Sequence, residues 1–178
     1  MTAVRRTTRE CSVNQLTPKL IRAFQDYFQA HTLGDLVLEA LLCCETLTER
    51  IDRSRLAAWL DGYPDTTEYL GLILTEQWLL WARAGDRSKT IVIGANLKEI
   101  RARAYTSRFS KESGLELGGL VGDRKERVHG KLALGPEEAA RKFVDEVIQS
   151  VEKANPPPKQ KEIPWLKWWP KRENRRDR

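Results

Sequence analysis

The sequence predicts an α+β fold, an antiparallel β-barrel or sandwich of about seven strands that is capped by a C-terminal α-helix and preceded by an extra N-terminal helix. Two observations predict it. Between about residues 67 and 134, apolar residues alternate with polar ones in short runs separated by turn residues, the pattern of strands with one buried face. Segments 18–31 and 136–154 instead carry their apolar residues on one side of a helix.

The first 35 residues divide into an arm and a helix. Residues 1–14 are polar and basic without a hydrophobic period, which predicts a flexible basic arm. The pair Thr17-Pro18 suits a helix start, because proline in the first turn has no N–H to lose. Apolar residues then recur on one face from Leu20 onward, and Gly34 can end the helix.

The next segment favours a strand over roughly 38–50. Its first half suits a helix equally well. In its second half, Cys44, Thr46 and Thr48 alternate with Glu45, Leu47 and Glu49, as the residues of a strand do. A short helix over about 53–62 follows, with Gly62 as its stop.

The remaining strands follow from period-two alternation and from the turn residues between the runs. They are expected over 67–74, 77–83, 90–93, 100–105, 115–117 and 128–134.

The clearest helix begins after Gly135-Pro136, where two glutamates complement the helix dipole. Its apolar stripe runs from Phe143 to Val151, and Asn155-Pro156 ends it. The predicted organisation is therefore an arm over 1–14, an N-terminal helix within 15–35, a β-rich domain over 36–155 and a tail over 156–178.

The order of strands and final helix resembles the pleckstrin-homology superfold, in particular its bacterial and GRAM-like relatives. Three stretches carry the resemblance: YLGLILTEQWLLW at 69–81, IVI at 91–93 followed by LKEI at 97–100, and GKL at 130–132 leading into the last helix. The resemblance covers residues 36–154, and the helix over 18–31 lies outside it.

The resemblance implies a domain that binds phosphoinositide or other anionic headgroups, or that serves as a platform for protein docking. Headgroup-binding members use basic residues around the first hairpin. The matching residues in this chain are Arg50, Arg53 and Arg55, joined by Arg83, Arg87 and Lys89 from a later turn.

Several classes of protein are disfavoured by the bulk sequence. No apolar run approaches the roughly 20 residues of a membrane-spanning helix, and the basic N-terminus lacks the apolar region of a secretory signal. Cys11, Cys43 and Cys44 form a poor disulfide framework, since neighbouring residues in a strand point to opposite faces. A cytoplasmic protein is expected, with association at the inner face of a membrane as an option.

The sequence offers no clear set of residues for a catalytic or metal site. His31 and His129 have no metal-ligand spacing, and the adjacent cysteines lack the separation of a zinc knuckle. Glycines 114, 118, 119 and 122 match no phosphate-binding loop. We therefore expect a protein that is not an enzyme and needs no cofactor or metal.

The tail concentrates the charge of the chain. Between residues 159 and 178, eight lysines and arginines face three acids, a net charge of +5 out of +6 for the whole sequence. Three of the six tryptophans lie there, behind a triproline spacer over 156–158. The residues predicted to bind a membrane or partner are Trp165, Leu166, Lys167, Trp168, Trp169, Lys171, Arg172, Arg175 and Arg176.

Tryptophan among basic residues suits either the interface of an anionic membrane or a hot spot on a larger protein complex. A nucleic-acid partner is disfavoured, because the rest of the chain carries no net positive charge that would extend the basic surface of the tail along a phosphate backbone. A third interpretation folds the tryptophans back beside the last helix.

The predicted function is a non-catalytic adaptor or accessory subunit. The alternative is a small-ligand-binding domain or enzyme with a pocket between the sheet and the N-terminal helix. The sequence makes no prediction of homo-oligomeric state.

Overall fold

The computed structural model describes residues 3–51, 65–106, 113–122 and 126–156. The helix predicted over 53–62 and the tail beyond residue 156 lie outside these ranges. The described helices are α1 (Pro18–His31), α2 (Leu36–Glu39) and α3 (Glu138–Ala154), with 3₁₀ turns at Val13–Gln15 and Leu97–Glu99. The described strands are β1 (Ala3–Glu10), β2 (Leu42–Ile51), β3 (Thr67–Leu74), β4 (Trp78–Gly85), β5 (Ile91–Asn96), β6 (Ile100–Thr106), β7 (Ser113–Val121) and β8 (Glu126–Leu134).

The strands form two antiparallel sheets that pack face to face. Sheet A has the order β1-β2-β3-β4-β5, and sheet B has the order β6-β7-β8. Every neighbouring pair is antiparallel. The α+β class and the final helix are thus confirmed, but the described sheets do not close into a barrel.

Sheet A is buried on both faces. Alternate residues of β3 and β4, such as Leu72 and Leu79, enter a core shared with sheet B and α3. The residues between them, such as Ile73 and Leu80, enter a second core beneath α1. A strand covered on both sides reads as a continuous apolar run, which explains the run of apolar residues in these two strands.

Helix α1 lies close against the outer face of sheet A. Leu20 and Phe24 are fully buried, and a Cβ atom added to Gly71 would lie 3.0 Å from a carbon of each side chain. The absence of a side chain at Gly71 therefore allows the close approach. The observed bounds of α1 confirm the helix expected over 18–31.

Helix α3 closes the inner core. Phe143, Val144, Val147 and Val151 are buried against the two sheets. The side-chain amide of Asn155 donates a hydrogen bond of 2.7 Å to the carbonyl of Leu97. This bond anchors the end of the helix to the turn that joins the sheets.

The first residues form a strand and a 3₁₀ turn, where the sequence predicts a flexible arm over 1–14. Strand β1 pairs with β2 along its whole length. Thr8 is buried, and its hydroxyl lies 2.8 Å from that of Thr46 and accepts a 2.8 Å hydrogen bond from the N–H of Gly135. The Thr8 N–H donates to the carboxylate of Glu137 over 2.8 Å. Because these contacts are polar, the strand carries little of the hydrophobic signal on which the prediction relied.

The segment predicted as a strand over 38–50 has a short helix at its start. The Asp35 carboxylate accepts hydrogen bonds from the N–H groups of Val37 and Leu38, which caps α2. Strand β2 then begins at Leu42. With β1 added, the described residues form eight strands where about seven are expected.

We expect Phe24→Ala to lower the free energy of unfolding by about 3–5 kcal/mol, because it leaves a cavity between α1 and sheet A. Urea denaturation monitored by circular dichroism measures the change. Arg22→Ala on the exposed side of the same helix is the control and should change the free energy little. A loss below about 1 kcal/mol for Phe24→Ala would contradict this packing.

Candidate functional site

A cleft of about 530 Å³ lies between sheet A and strands β7 and β8. In sheet A, Trp81 lies opposite Ile93, and in the next row Arg83 lies opposite Ile91. Both rows line the cleft. The other walls are apolar and come from sheet B, with Leu117, Val121, Val128 and Leu132.

Three exposed cations, Arg83, Lys89 and Lys131, mark the rim of the cleft. Arg50, Arg83, Lys89 and Lys131 contribute four cations, and Asp65 and Glu68 contribute two carboxylates, a net charge of +2. Ile91 lies among them with 62% of its surface exposed. The site thus combines apolar walls with exposed cations.

Glu68 holds two of the arginines in place. It lies 3.2 Å from the Nη2 of Arg50 and 3.6 Å from the Nε of Arg83. Arg50 also donates a 2.8 Å hydrogen bond to the carbonyl of Asp65. The Arg83 side chain is 54% exposed and its contact is the longer one, so Arg83 is the arginine better placed to meet an incoming anion.

Asp65 organises the turn between β4 and β5. Its carboxylate accepts a 2.6 Å hydrogen bond from the N–H of Arg87, and a Cβ atom on Gly85 would overlap it. Burial raises the pKa of Asp65, but hydrogen bonds from Ser88 and Arg87 and the charge of Arg50 outweigh burial and lower the pKa. The folded turn that carries Lys89 therefore favours the ionised form of the Asp65 carboxyl group.

Three of the six residues predicted to bind a headgroup line this cleft: Arg50, Arg83 and Lys89. Arg87 belongs to the same turn through its backbone and does not line the cleft. Arg53, Arg55 and the nine predicted tail residues lie outside the described part of the chain.

Sequence reasoning did not identify Lys131 as a site residue. It alternates with buried residues of β8 and reads as an ordinary solvent-facing position. Only the packing of sheet B against sheet A brings it to the cleft. Its ammonium nitrogen lies 5.1 Å from the ring centroid of Tyr105.

The outer face of sheet B is basic. Arg103 donates two hydrogen bonds, of 2.8 and 3.0 Å, to the buried carboxylate of Glu116. The Nε2 of His129 lies 2.9 Å from the same carboxylate. These partners lower the pKa of Glu116, and the hydrogen bond from Arg103 is the largest cause. Arg101 and Arg127 also lie on this face by strand alternation, so it carries more cations than the near-neutral composition of residues 11–158 suggests.

A second, smaller cavity matches the location of the alternative site between sheet and N-terminal helix. It measures about 270 Å³ and is lined by Tyr27, His31, Trp78 and Gly94, among others. Tyr27 lies over Gly94, where a Cβ atom would come within 2.5 Å of the tyrosine hydroxyl. The cleft between the sheets is about twice as large.

The described lining of the cleft offers groups that can contact an anion and a hydrocarbon chain. This lining contains arginine, lysine, two engaged carboxylates, the hydroxyl of Ser88 and apolar side chains, and its described residues include no histidine or cysteine. Among the residues that the structure describes, no group of three His, Cys, Asp or Glu side chains is placed to hold a metal ion. In the same part of the chain, no helix has both the length and the apolar character needed to cross a bilayer.

The chain matches no protein-family model, no curated protein and no solved structure.

We expect the stabilising effect of Asp65 to depend on pH. Since its pKa is lowered by folding, its contribution is complete above the unfolded pKa of about 3.9 and is lost as the pH falls through the lower folded pKa. Asp65→Asn should lower the free energy of unfolding by about 1 kcal/mol at neutral pH. This difference should shrink progressively below about pH 4.

Urea denaturation across a pH series measures this difference. Asp86→Asn is the matched control, because it removes an exposed carboxylate from the same turn. It should change stability little at any pH. A difference between wild type and Asp65→Asn that stays constant down to the acid limit would contradict the role assigned to the carboxylate.

Proposed function

We propose that this protein is a non-catalytic, pleckstrin-homology-like accessory domain that binds anionic lipid at the cleft between its sheets. The lipid's anionic group meets the cationic rim, and apolar atoms next to it enter the cleft. The observation that carries the proposal is the combination of apolar walls with four cations and two acids in the lining of one cleft.

The order of elements supports the family assignment within this proposal. Strands β2–β5 belong to one antiparallel sheet, β6–β8 to a second, and a single amphipathic helix follows. This is the seven-strand order of the resemblance. Strand β1 and helix α1 are additions that extend one edge of sheet A and cover its outer face.

The dimensions and surface of the cleft support an amphiphilic ligand. A volume of about 530 Å³ lies within the range of roughly 300–1,000 Å³ that is common for ligand sites. Apolar walls favour hydrocarbon, since each buried methylene contributes about 0.8 kcal/mol. Ile91 and Lys89 at the mouth would contact the membrane interface as the headgroup enters the rim.

The basic surfaces support docking at an anionic membrane. A cation near such a surface contributes about 1 kcal/mol, and the outer face of sheet B adds cations adjoining Lys131, which belongs to both face and rim. In the proposal, the tryptophan-rich tail contacts the same membrane. A larger protein complex is the competing partner for the tail, and the test below includes it.

We expect the double variant Arg83→Gln/Lys89→Gln to bind anionic vesicles roughly thirtyfold more weakly than wild type, because two contacts of about 1 kcal/mol each are lost. Co-sedimentation with phosphatidylcholine vesicles, with and without phosphatidylglycerol, measures the binding. Arg22→Gln/Lys153→Gln is the control, since it removes the same charge from exposed positions on α1 and α3.

The control should keep most of the wild-type binding. Equal losses in both double variants would show attraction by net charge alone, and full binding by Arg83→Gln/Lys89→Gln would show that the cleft is not the lipid site. Either result overturns the proposal.

We expect Trp168→Ala/Trp169→Ala in the full chain to reduce binding to the anionic vesicles by tenfold or more, since each ring contributes roughly 1–2 kcal/mol at an interface. The same co-sedimentation assay measures it. Unchanged vesicle binding together with loss of a co-purifying protein would assign the tail to a protein complex. A lowered unfolding temperature would instead indicate that the rings pack against the domain.

A further inference from the structure

Two cysteines that the sequence keeps apart meet where β1 ends. The β1–β2 register pairs Glu10 with Cys44, and the next step of the same register places Cys11 opposite Cys43. The N–H of Cys11 donates a 3.2 Å hydrogen bond to the carbonyl of Cys43, which continues the ladder by one residue. The two residues are 32 positions apart in the chain.

The separation of the two cysteines suits a disulfide. Their sulfur atoms lie 3.8 Å apart. Directly opposed residues of an antiparallel pair have Cα atoms about 4.5–5.5 Å apart, within the range of roughly 4.4–6.8 Å that disulfides span. Closing the bond therefore requires rotation of the side chains and little movement of the backbone.

The position of the third cysteine, Cys44, excludes it from a disulfide with Cys11. Cys44 follows Cys43 in β2 and faces the opposite side of sheet A, where it belongs to the core shared with sheet B. Cys43 belongs to the core beneath α1, and Cys11 packs against that core while remaining partly exposed. One solvent-accessible thiol thus contacts one buried thiol.

The two thiols differ in exposure and in pKa. The hydrogen bond from Cys43 lowers the pKa of Cys11, and the charge of Arg9 acts in the same direction against partial burial and Glu45. The same hydrogen bond, together with burial, raises the pKa of Cys43 far above its ordinary value. Since the thiolate is the nucleophile, Cys11 is the sulfur that reacts first.

We propose that Cys11 and Cys43 form a hydroperoxide-reactive pair that closes into an intramolecular disulfide. The Cys11 thiolate attacks one oxygen of hydrogen peroxide, the O–O bond breaks, and a sulfenic acid and hydroxide form. The Cys43 sulfur then attacks the sulfenic sulfur, loses its proton and releases the oxygen as water. Two thiols and one peroxide become one disulfide and two waters.

The bond would join the end of β1 to β2, on the side of sheet A that α1 covers. The segment between the cysteines contains α1 and α2. Oxidation therefore closes a covalent loop that includes the helix covering sheet A. A cross-linked loop has less freedom in the unfolded chain. The oxidised protein should therefore unfold at a higher temperature than the reduced protein.

The test treats the folded, full-length protein with hydrogen peroxide, then unfolds it and alkylates the remaining thiols before mass spectrometry. We expect the protein to lose the mass of two hydrogen atoms, to yield a linked Cys11–Cys43 peptide and to retain one alkylated cysteine, Cys44. A reducing agent should restore three alkylated cysteines. The conservative variant Cys44→Ser should form the same link.

Cys11→Ser changes a partly exposed position and should abolish the link while Cys43 and Cys44 remain alkylated. Protein treated in concentrated urea should lose the preference for the Cys11–Cys43 pairing, because the sheet no longer holds the sulfurs together. The proposal is overturned if three thiols survive peroxide, if Cys11 stops at sulfinic acid without a link, or if the linked peptides join two separate chains.

Discussion

The two-sided burial of sheet A is the constraint on which the rest of the structure depends. Strands β3 and β4 carry apolar side chains on both faces, so each face needs its own cover. Helix α1 covers one face, and sheet B with α3 covers the other. Sheet B leaves part of the inner face open near Arg83 and Ile91, where exposure is high. The cleft is therefore a consequence of incomplete cover over an apolar sheet.

Acidic side chains with little exposure hold arginines in place at two surfaces of this protein. Glu68 lies beside Arg50 and beneath Arg83 at the cleft, and Glu116 lies beneath Arg103 on sheet B. In the second case the carboxylate side chain is 8% exposed and the arginine 72%. An arginine held from below loses less conformational freedom when it meets an anion, and it keeps donors directed outward. The arrangement favours recognition at both surfaces.

Sequence patterns predicted the parts of this fold that depend on local hydrophobic spacing. The helix at 18–31 and the helix after Gly135 follow from periodicity and from their end signals, and the strand at 67–74 follows from its apolar run and the turn after it. Strand β1 could not be predicted this way, because its stability comes from ladder bonds and from the polar contacts of Thr8. The cleft was predictable only in part: the resemblance indicated Arg50, Arg83 and Lys89. Lys131 joins them through the packing of two sheets, which no local pattern encodes.

The contacts of Thr8 also bear on how the chain reaches its structure during synthesis. Its hydroxyl and N–H bind Gly135 and Glu137, almost 130 residues later in the chain. A ribosome releases the first strand long before these partners exist, so β1 can pair with β2 but cannot complete its buried contacts. The final step of assembly therefore waits for the loop before α3, and contacts of such long range slow folding. Until then, the edge of the nascent sheet remains open to chaperones or to neighbouring chains.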